Sequence, residues 1–349
     1  MDEHSALIDR MPKAELHLHL DGSLRPETAL ELARDRRMDA GWNLEQMRGA
    51  LIGPEQCASQ AELLRYFDLP IALMQDAEAL TRIARELVED VAADGTRYAE
   101  IRWAPALHVE RGLSLGEGIA AVVAGARAGM DTHPRLTVRL IAVALRSHSP
   151  ETSVEVTRAA AGFQGEGLVG FDVAGREEEF PDPLLHGRAF TLAREAGLAI
   201  TIHAGEWGGA AQVRRALEVE PSRIAHGAPA ADEPALMEEL RARGTTLDLC
   251  PTSNVQAGIF PSLADHPLPR LLRAGVPVTL STDDRTVSDL TLRREYARAL
   301  GPMGLTVDEL WAMNRHALEV AFLDDEEELR GRLLTEFDAW WETASRSPS

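Results

Sequence analysis

The chain has 349 residues, 45% of them hydrophobic, and a formal charge of −20. Length and apolar content suit one large α/β barrel with insertions spanning residues 1–349. The acidic balance argues against a nucleic-acid partner, which needs a basic footprint, and against an anionic membrane surface. No apolar run approaches the length of a membrane span. The start, Met1-Asp2-Glu3-His4, has no basic-then-apolar leader character. Cys57 and Cys250 lie too far apart to suggest a disulfide framework or a CxxC site. Together these features point to the cytoplasm. Of 36 basic residues, Lys13 is the only lysine. Schiff-base chemistry, or a carbamylated lysine bridging two metals, must therefore use Lys13, which lies at the wrong end of the first strand.

Apolar segments alternate with amphipathic ones along the chain. The first predicted strand is Glu15–Leu20. The stretch from Gly22 to Arg97 is too long for one crossover, so it predicts inserted helices forming a lid, followed by a helix over Ala79–Ala93. Leu63, Leu64 and Phe67 at helical spacing read first as one lid helix packing on another, with the cleft lining as the alternative. Further strands are predicted at Tyr98–Ala104, Leu136–Leu145, Leu168–Val173, Ala199–Ala204, Arg223–His226, Thr246–Leu249 and Val278–Thr282. Helices are predicted at Pro183–Ala196, Ala210–Leu217 and Pro234–Arg243. Val307–Phe322 and Glu326–Thr343 read as closing helices, and the Asp324–Glu328 acidic run as the solvated start of the last one. Eight strands alternating with helices predict a (β/α)8 TIM barrel.

Polar residues gather at the C-terminal ends of four of these strands. His17 and His19 alternate with Leu16, Leu18 and Leu20, so both imidazoles share one strand face. Thr201-Ile202-His203-Ala204-Gly205-Glu206 ends the fifth strand, Ile224-Ala225-His226-Gly227 the sixth, and Ser281-Thr282-Asp283-Asp284 the eighth. In a barrel these ends converge on one face, where active sites form. His17, His19, His203 and Asp283 supply three nitrogens and a carboxylate oxygen, a set suited to Zn²⁺. Glu206 then stands free to exchange a proton, His226 to orient or deprotonate a water, and Asp284 to hold a ring nitrogen or N–H. His4, His108, His133, His186, His266 and His316 fall in predicted loops or helices and read as structural.

The chain resembles the adenosine deaminase family of the amidohydrolase superfamily. The resemblance rests on Pro12–Ser23, Gly170-Phe171-Asp172-Val173-Ala174-Gly175, His203-Ala204-Gly205-Glu206, Arg223-Ile224-Ala225-His226-Gly227 and Ser281-Thr282-Asp283-Asp284. It implies one zinc per chain on His17, His19, His203 and Asp283. Glu206 would protonate purine N1 while His226 and Asp283 activate the water that attacks C6. Asp284 would meet N7, the Gly175 N–H would meet N3, and Asp21 with His19 would approach the ribose 5′ position.

Two departures are notable. Arg285 follows the aspartate pair where proline is usual, and Trp207 follows Glu206 where many members have a smaller residue. Arg285 is expected either to meet an anion at the sugar end, as in aminodeoxyfutalosine, or to pair with a nearby acid such as Asp289. The implied reaction is hydrolytic deamination of adenosine, 2′-deoxyadenosine or a 5′-modified adenosine. Adenine deaminase is the alternative, disfavoured by Asp21. A dinuclear amidohydrolase and a non-catalytic relative are weaker alternatives. Asp172 is expected to be structural.

Overall fold

The computed structural model describes residues 3–38, 41–323 and 326–345. Eight parallel strands follow one another in chain order: β1 (Lys13–His19), β2 (Thr96–Trp103), β3 (Thr137–Leu145), β4 (Leu168–Ala174), β5 (Ala199–Ala204), β6 (Arg223–His226), β7 (Thr246–Leu249) and β8 (Val278–Leu280). The first and last strands meet just beyond β8. There Asp283 N donates to His17 O at 3.0 Å and His19 N donates to Asp283 O at 2.8 Å. This is the predicted TIM barrel. β5, β6 and β7 have the predicted limits, and the others differ by up to two residues at an end. β8 stops two residues early: Thr282 N donates to the Glu15 side chain rather than to a neighbouring strand, and Asp283 follows at φ +67°.

The alternation along the strands has an unusual meaning here. Outward residues such as Leu16, Ile101, Phe171, Ile202 and Leu247 are apolar and join the main core under the helices. The inward positions carry polar and charged groups. Arg102 Nη1 lies 2.9 Å from Asp172 Oδ2, and Arg223 Nε lies 3.0 Å from Asp248 Oδ2. Arg223 also pairs with Glu100, which accepts from Tyr98 OH at 2.9 Å. Burying these charges is tolerable only because each is paired and hydrogen-bonded. The barrel interior is therefore an ion-pair network beneath the strand ends rather than layers of branched apolar side chains.

Between β1 and β2 the chain forms the expected helical insertion, with helices at Pro26–Asp35, Leu44–Leu51, Gln60–Leu64, Asp68–Leu73 and Ala77–Ala93. Asn43 with Gln46 makes a capping box on the second of these, and Asp76 caps the last. The predicted helix over Pro183–Ala196 is split into a 3₁₀ turn, Pro183–His186, and a helix, Gly187–Glu195. Asp182, not a helix residue, accepts from Leu184 N and starts the tighter turn. The closing helices are Val307–Glu319 and Glu327–Ser345. Asn314 on the first braces β1, accepting from Ala14 N at 2.9 Å and donating to Pro12 O at 2.8 Å. Asp324 and Asp325 of the acidic run lie outside the described residues. No helix among the described residues is long and apolar enough to cross a membrane.

Candidate active site

A cleft of about 480 Å³ opens at the C-terminal ends of the strands, with His19, Asp21, Gly175, His203, Glu206, His226, Asp283 and Asp284 in its wall. At its floor four donor atoms crowd together. His17 Nε2 is 3.2 Å from His19 Nε2 and 3.0 Å from Asp283 Oδ1. His19 Nε2 is 3.1 Å from His203 Nε2 and 3.3 Å from Asp283 Oδ1. Ligands about 2.0–2.2 Å from a tetrahedral zinc stand about 3.3 Å apart, so these spacings match that geometry.

A wider grouping of His17, His203, His226 and Asp283 has its ligand atoms within 4.8 Å of one another. His226 Nε2, however, is 3.9 Å from Asp283 Oδ2, so His19 rather than His226 belongs to the tight set. Burial lowers the His17 imidazole well below its ordinary value and brings His19 down to about 4. Both are thus neutral, the form that ligates metal. Burial pushes the Asp283 carboxyl up, but His17 and the neighbouring imidazoles outweigh it and hold the group well below the usual range.

The donors are themselves held. Asp172 Oδ2 lies 2.9 Å from His203 Nδ1, and Asp172 Oδ1 accepts from His203 N at 3.2 Å. Ser253 Oγ donates to Asp283 Oδ2 at 2.6 Å. These supports fix ring and carboxylate orientation around a metal. Asp283 and His226 both sit at φ +67°, backbone strain that turns each side chain inward at a strand end.

A second chain of contacts sets the state of His226. Leu268 N donates to His266 Nδ1, so the neutral His266 carries its hydrogen on Nε2 and donates it to Asn254 Oδ1. The Asn254 amide nitrogen then donates to His226 Nδ1 at 3.2 Å. His226, with its own value lowered to about 3 by burial, is left neutral with the hydrogen on Nε2. That Nε2 lies 3.8 Å from Glu206 Oε2.

Two carboxyls in the cleft are pushed the other way. Burial, reinforced by the Asp283 and Glu177 charges, raises Glu206 well above the ordinary value. Burial, reinforced by the Asp283, Asp21 and Glu206 charges, does the same to Asp284. Both are thereby shifted toward the protonated form, in which a carboxyl donates a hydrogen bond. Asp284 Oδ1 is buried without a protein partner, as is Asp21 Oδ1. In native proteins such atoms call for an explanation, and a ligand in the cleft supplies one. Gly22 makes room for Asp284, because a Cβ there would stand 1.8 Å from Asp284 Oδ1.

The structure corrects several expectations. Arg285 does not reach the cleft. Its guanidinium is buried, 2.8 Å from Asp94 Oδ2 and 3.4 Å from Glu15 Oε2, and Asp289 pairs instead with Arg294. Leu63, Leu64 and Phe67 do line the cleft, beyond packing on other helices. Leu63 and Phe67 also join a small apolar cluster with Cys57, Ala257 and Val287, on which Trp207 packs, tying the Glu206 turn to the lid. His108 stands behind Asp21, its Nε2 3.8 Å from Asp21 Oδ2. Asp172 supports a metal-facing histidine, His266 and Asn254 reach His226, and Ser253 reaches Asp283. The polar run Thr252-Ser253-Asn254 after β7 was the signal for two of these, since it too follows a strand end.

Lys13 is fully buried at the opposite end of β1, donating to Met11 O at 2.9 Å. That leaves no lysine for a bridging role in the cleft.

The chain is similar to known deaminases over nearly its whole length. The family model described as adenosine deaminase matches residues 12–340. The adenosine deaminase of Enterococcus faecalis is 34% identical over 320 residues, covering 92% of this chain and 94% of that protein. The adenine deaminase of Arthrobacter aurescens superposes with a TM-score of 0.85 at 28% identity, covering 95% of this chain and 99% of the other. A zinc-bound amidohydrolase from Burkholderia ambifaria gives a TM-score of 0.87 at 26% identity, covering 99% of this chain and 95% of the other. The chain belongs to the adenosine deaminase family and is a metal-dependent hydrolytic deaminase of adenine-type substrates.

Proposed function

We propose that the protein removes the 6-amino group of a purine nucleoside, adenosine or 2′-deoxyadenosine, by hydrolysis with one zinc held by His17, His19, His203 and Asp283. The observation that carries this reading is the pairing of a tight nitrogen–oxygen donor set with two buried carboxyls, Glu206 and Asp284, across one cleft. Purine N1, N3 and N7 are all acceptors. Glu206, the Gly175 N–H and Asp284 offer three donors for them, in the order N1, N3, N7. Zinc held by these four donors would supply Lewis acidity, lowering the pKa of a water toward ~7. His226 would donate from Nε2 to orient that water, and the Asp283 oxygen facing His226 would accept its proton. Glu206 gives its proton to N1 as C6 becomes tetrahedral; the proton held by Asp283 then passes to the amino group, the C6 hydroxyl proton returns to Glu206, and ammonia departs as C6=O forms. The donors are preorganised where charge develops, which is the main source of rate in such sites.

Asp21 lies in the cleft wall with an unpartnered oxygen, which suits a ribose hydroxyl. Asp68 and Glu179 also line the cleft, and Arg176 is tied to Glu179 at 3.0 Å. A 5′-phosphate would therefore meet a mostly acidic wall. The expectation of a carboxylated nucleoside such as aminodeoxyfutalosine loses the arginine on which it rested. Free adenine is the second reading, favoured by the likeness to the Arthrobacter adenine deaminase. The reaction takes place in the cytoplasm on this reading.

A panel of adenosine, 2′-deoxyadenosine, AMP and adenine, followed by the purine absorbance change, tests the assignment. The nucleosides should lead in kcat/KM by at least ~10-fold, about 1.4 kcal/mol of differential transition-state binding. Adenine leading the panel would transfer the protein to the second reading.

A further inference from the structure

The turn after β5 is built around a residue that the sequence did not single out. Gly205 (φ +79°) and Gly209 (φ +64°) redirect the chain from the strand into the helix Gly209–Ala216. Between them the amides of Gly205, Glu206 and Gly208 point into one concavity, the kind of backbone nest that binds anions. No free anion is needed there, because Glu177 from the segment after β4 fills it. Its Oε2 accepts from Gly205 N at 3.0 Å and Gly208 N at 2.9 Å, and its Oε1 from Glu206 N at 3.3 Å. Glu177 is 1% exposed, so a whole carboxylate has been withdrawn from water to make these three charge-assisted bonds.

The same turn is gripped from its other end. Arg146 Nη2 donates to His203 O at 3.0 Å, while its Nη1 donates to Phe180 O at 3.1 Å in the segment carrying Glu177. Gly208 is required for the fit, since a Cβ there would stand 3.0 Å from Glu177 Oε2 and 2.1 Å from Gln212 Cγ.

We propose that Glu177 is a positioning residue for the proton donor, clamping the turn so that the Glu206 carboxyl is presented to the cleft in one orientation. The inference rests on the reading of Glu206 as the donor. A clamp on Glu206 acts on the transition state more than on substrate binding. A misplacement of about 1 Å in a catalytic group costs up to ~10²-fold in rate.

The test uses the full-length zinc-loaded protein with Glu177→Gln and Glu177→Asp. Each variant should lose ~10- to 100-fold in kcat with KM changed less than ~3-fold, and should keep its zinc. Hydrogen exchange at the amides of Gly205, Glu206 and Gly208 should accelerate while the rest of the barrel is unchanged. A kcat within ~2-fold of wild type with unchanged exchange overturns the proposal. So does a loss confined to thermal stability, which is what a purely structural staple predicts. Should neither Glu177 variant fold, Gly208→Ala keeps the carboxylate and pushes the amide away from it. The same kcat-selective loss supports the clamp, and normal kcat refutes it. Glu206→Gln is the separating control, expected to lose at least ~10²-fold in turnover with zinc retained. A fully active Glu206→Gln overturns the donor assignment and the clamp together. An inactive one beside active Glu177 variants overturns the clamp alone.

Discussion

Replacing Asp172 by asparagine keeps the shape of the side chain and removes one charge from the centre of the barrel. Asp172 Oδ2 is 2.9 Å from Arg102 Nη1 and 2.9 Å from His203 Nδ1, and Oδ1 accepts from His203 N at 3.2 Å. All three of these neighbours are donors, so the asparagine NH₂ must face one of them and leave it unpaired. Arg102, which is fully buried, then keeps only the more distant Asp248 Oδ2 at 3.8 Å as a charged partner. Breaking a buried ion pair in this way costs about 3–5 kcal/mol of folding stability. His203 also loses the carboxylate that fixes its ring, which weakens metal binding by about 10- to 100-fold, or about 1.4–2.8 kcal/mol. Urea unfolding of the metal-free protein reads the first cost, and zinc competition against a chromophoric chelator reads the second. A variant with zinc affinity within ~2-fold of wild type and a stability loss under ~1 kcal/mol would refute the reasoning.

Three further outcomes are expected. Arg285→Met should destabilise the fold by about 3 kcal/mol in urea unfolding, since Glu15 loses its arginine and Asp94 keeps only Arg293 of its two, while kcat/KM for neutral and anionic nucleosides shifts alike. Gly22→Ala should drive Asp284 out of place and cut kcat/KM for adenosine at least ~10-fold without loss of zinc, read by steady-state kinetics and metal analysis. Burial raises Glu295 from 4.5 to about 6, against the hydrogen bonds from Thr252. A folded-state value above the unfolded one gives stability that is complete below pH 4.5 and lost as the pH rises through 6. Relative to Glu295→Gln, wild type should therefore gain about 2 kcal/mol in chemical unfolding as pH falls from neutrality to ~4.5, and a flat difference would contradict this.

The barrel was legible because its strands carry outward apolar residues at every second position and are punctuated by helical patterns. The cleft residues were legible because each ends a strand at the same face of the barrel. What stayed hidden was set by partners distant in sequence. Arg285 was expected to meet a substrate anion or to pair with Asp289, yet its acids are Asp94 and Glu15, brought close only when β1, β2 and β8 assemble. Asp172 and Glu177 act through neighbours on β5 and the turn after it, and no spacing within one segment encodes that. His266 looked like a loop histidine because its effect on His226 passes through Asn254. The helix limits that shifted, such as the break at Gly187, reflect turn geometry chosen by an upstream aspartate rather than periodicity.

The central claim is that a single metal on His17, His19, His203 and Asp283 drives the deamination. It is tested most directly by adding zinc back to the chelator-stripped protein while measuring adenosine turnover. Activity should rise linearly and stop at one equivalent of zinc per chain. A plateau at two equivalents, or full turnover before any metal is added, would contradict it.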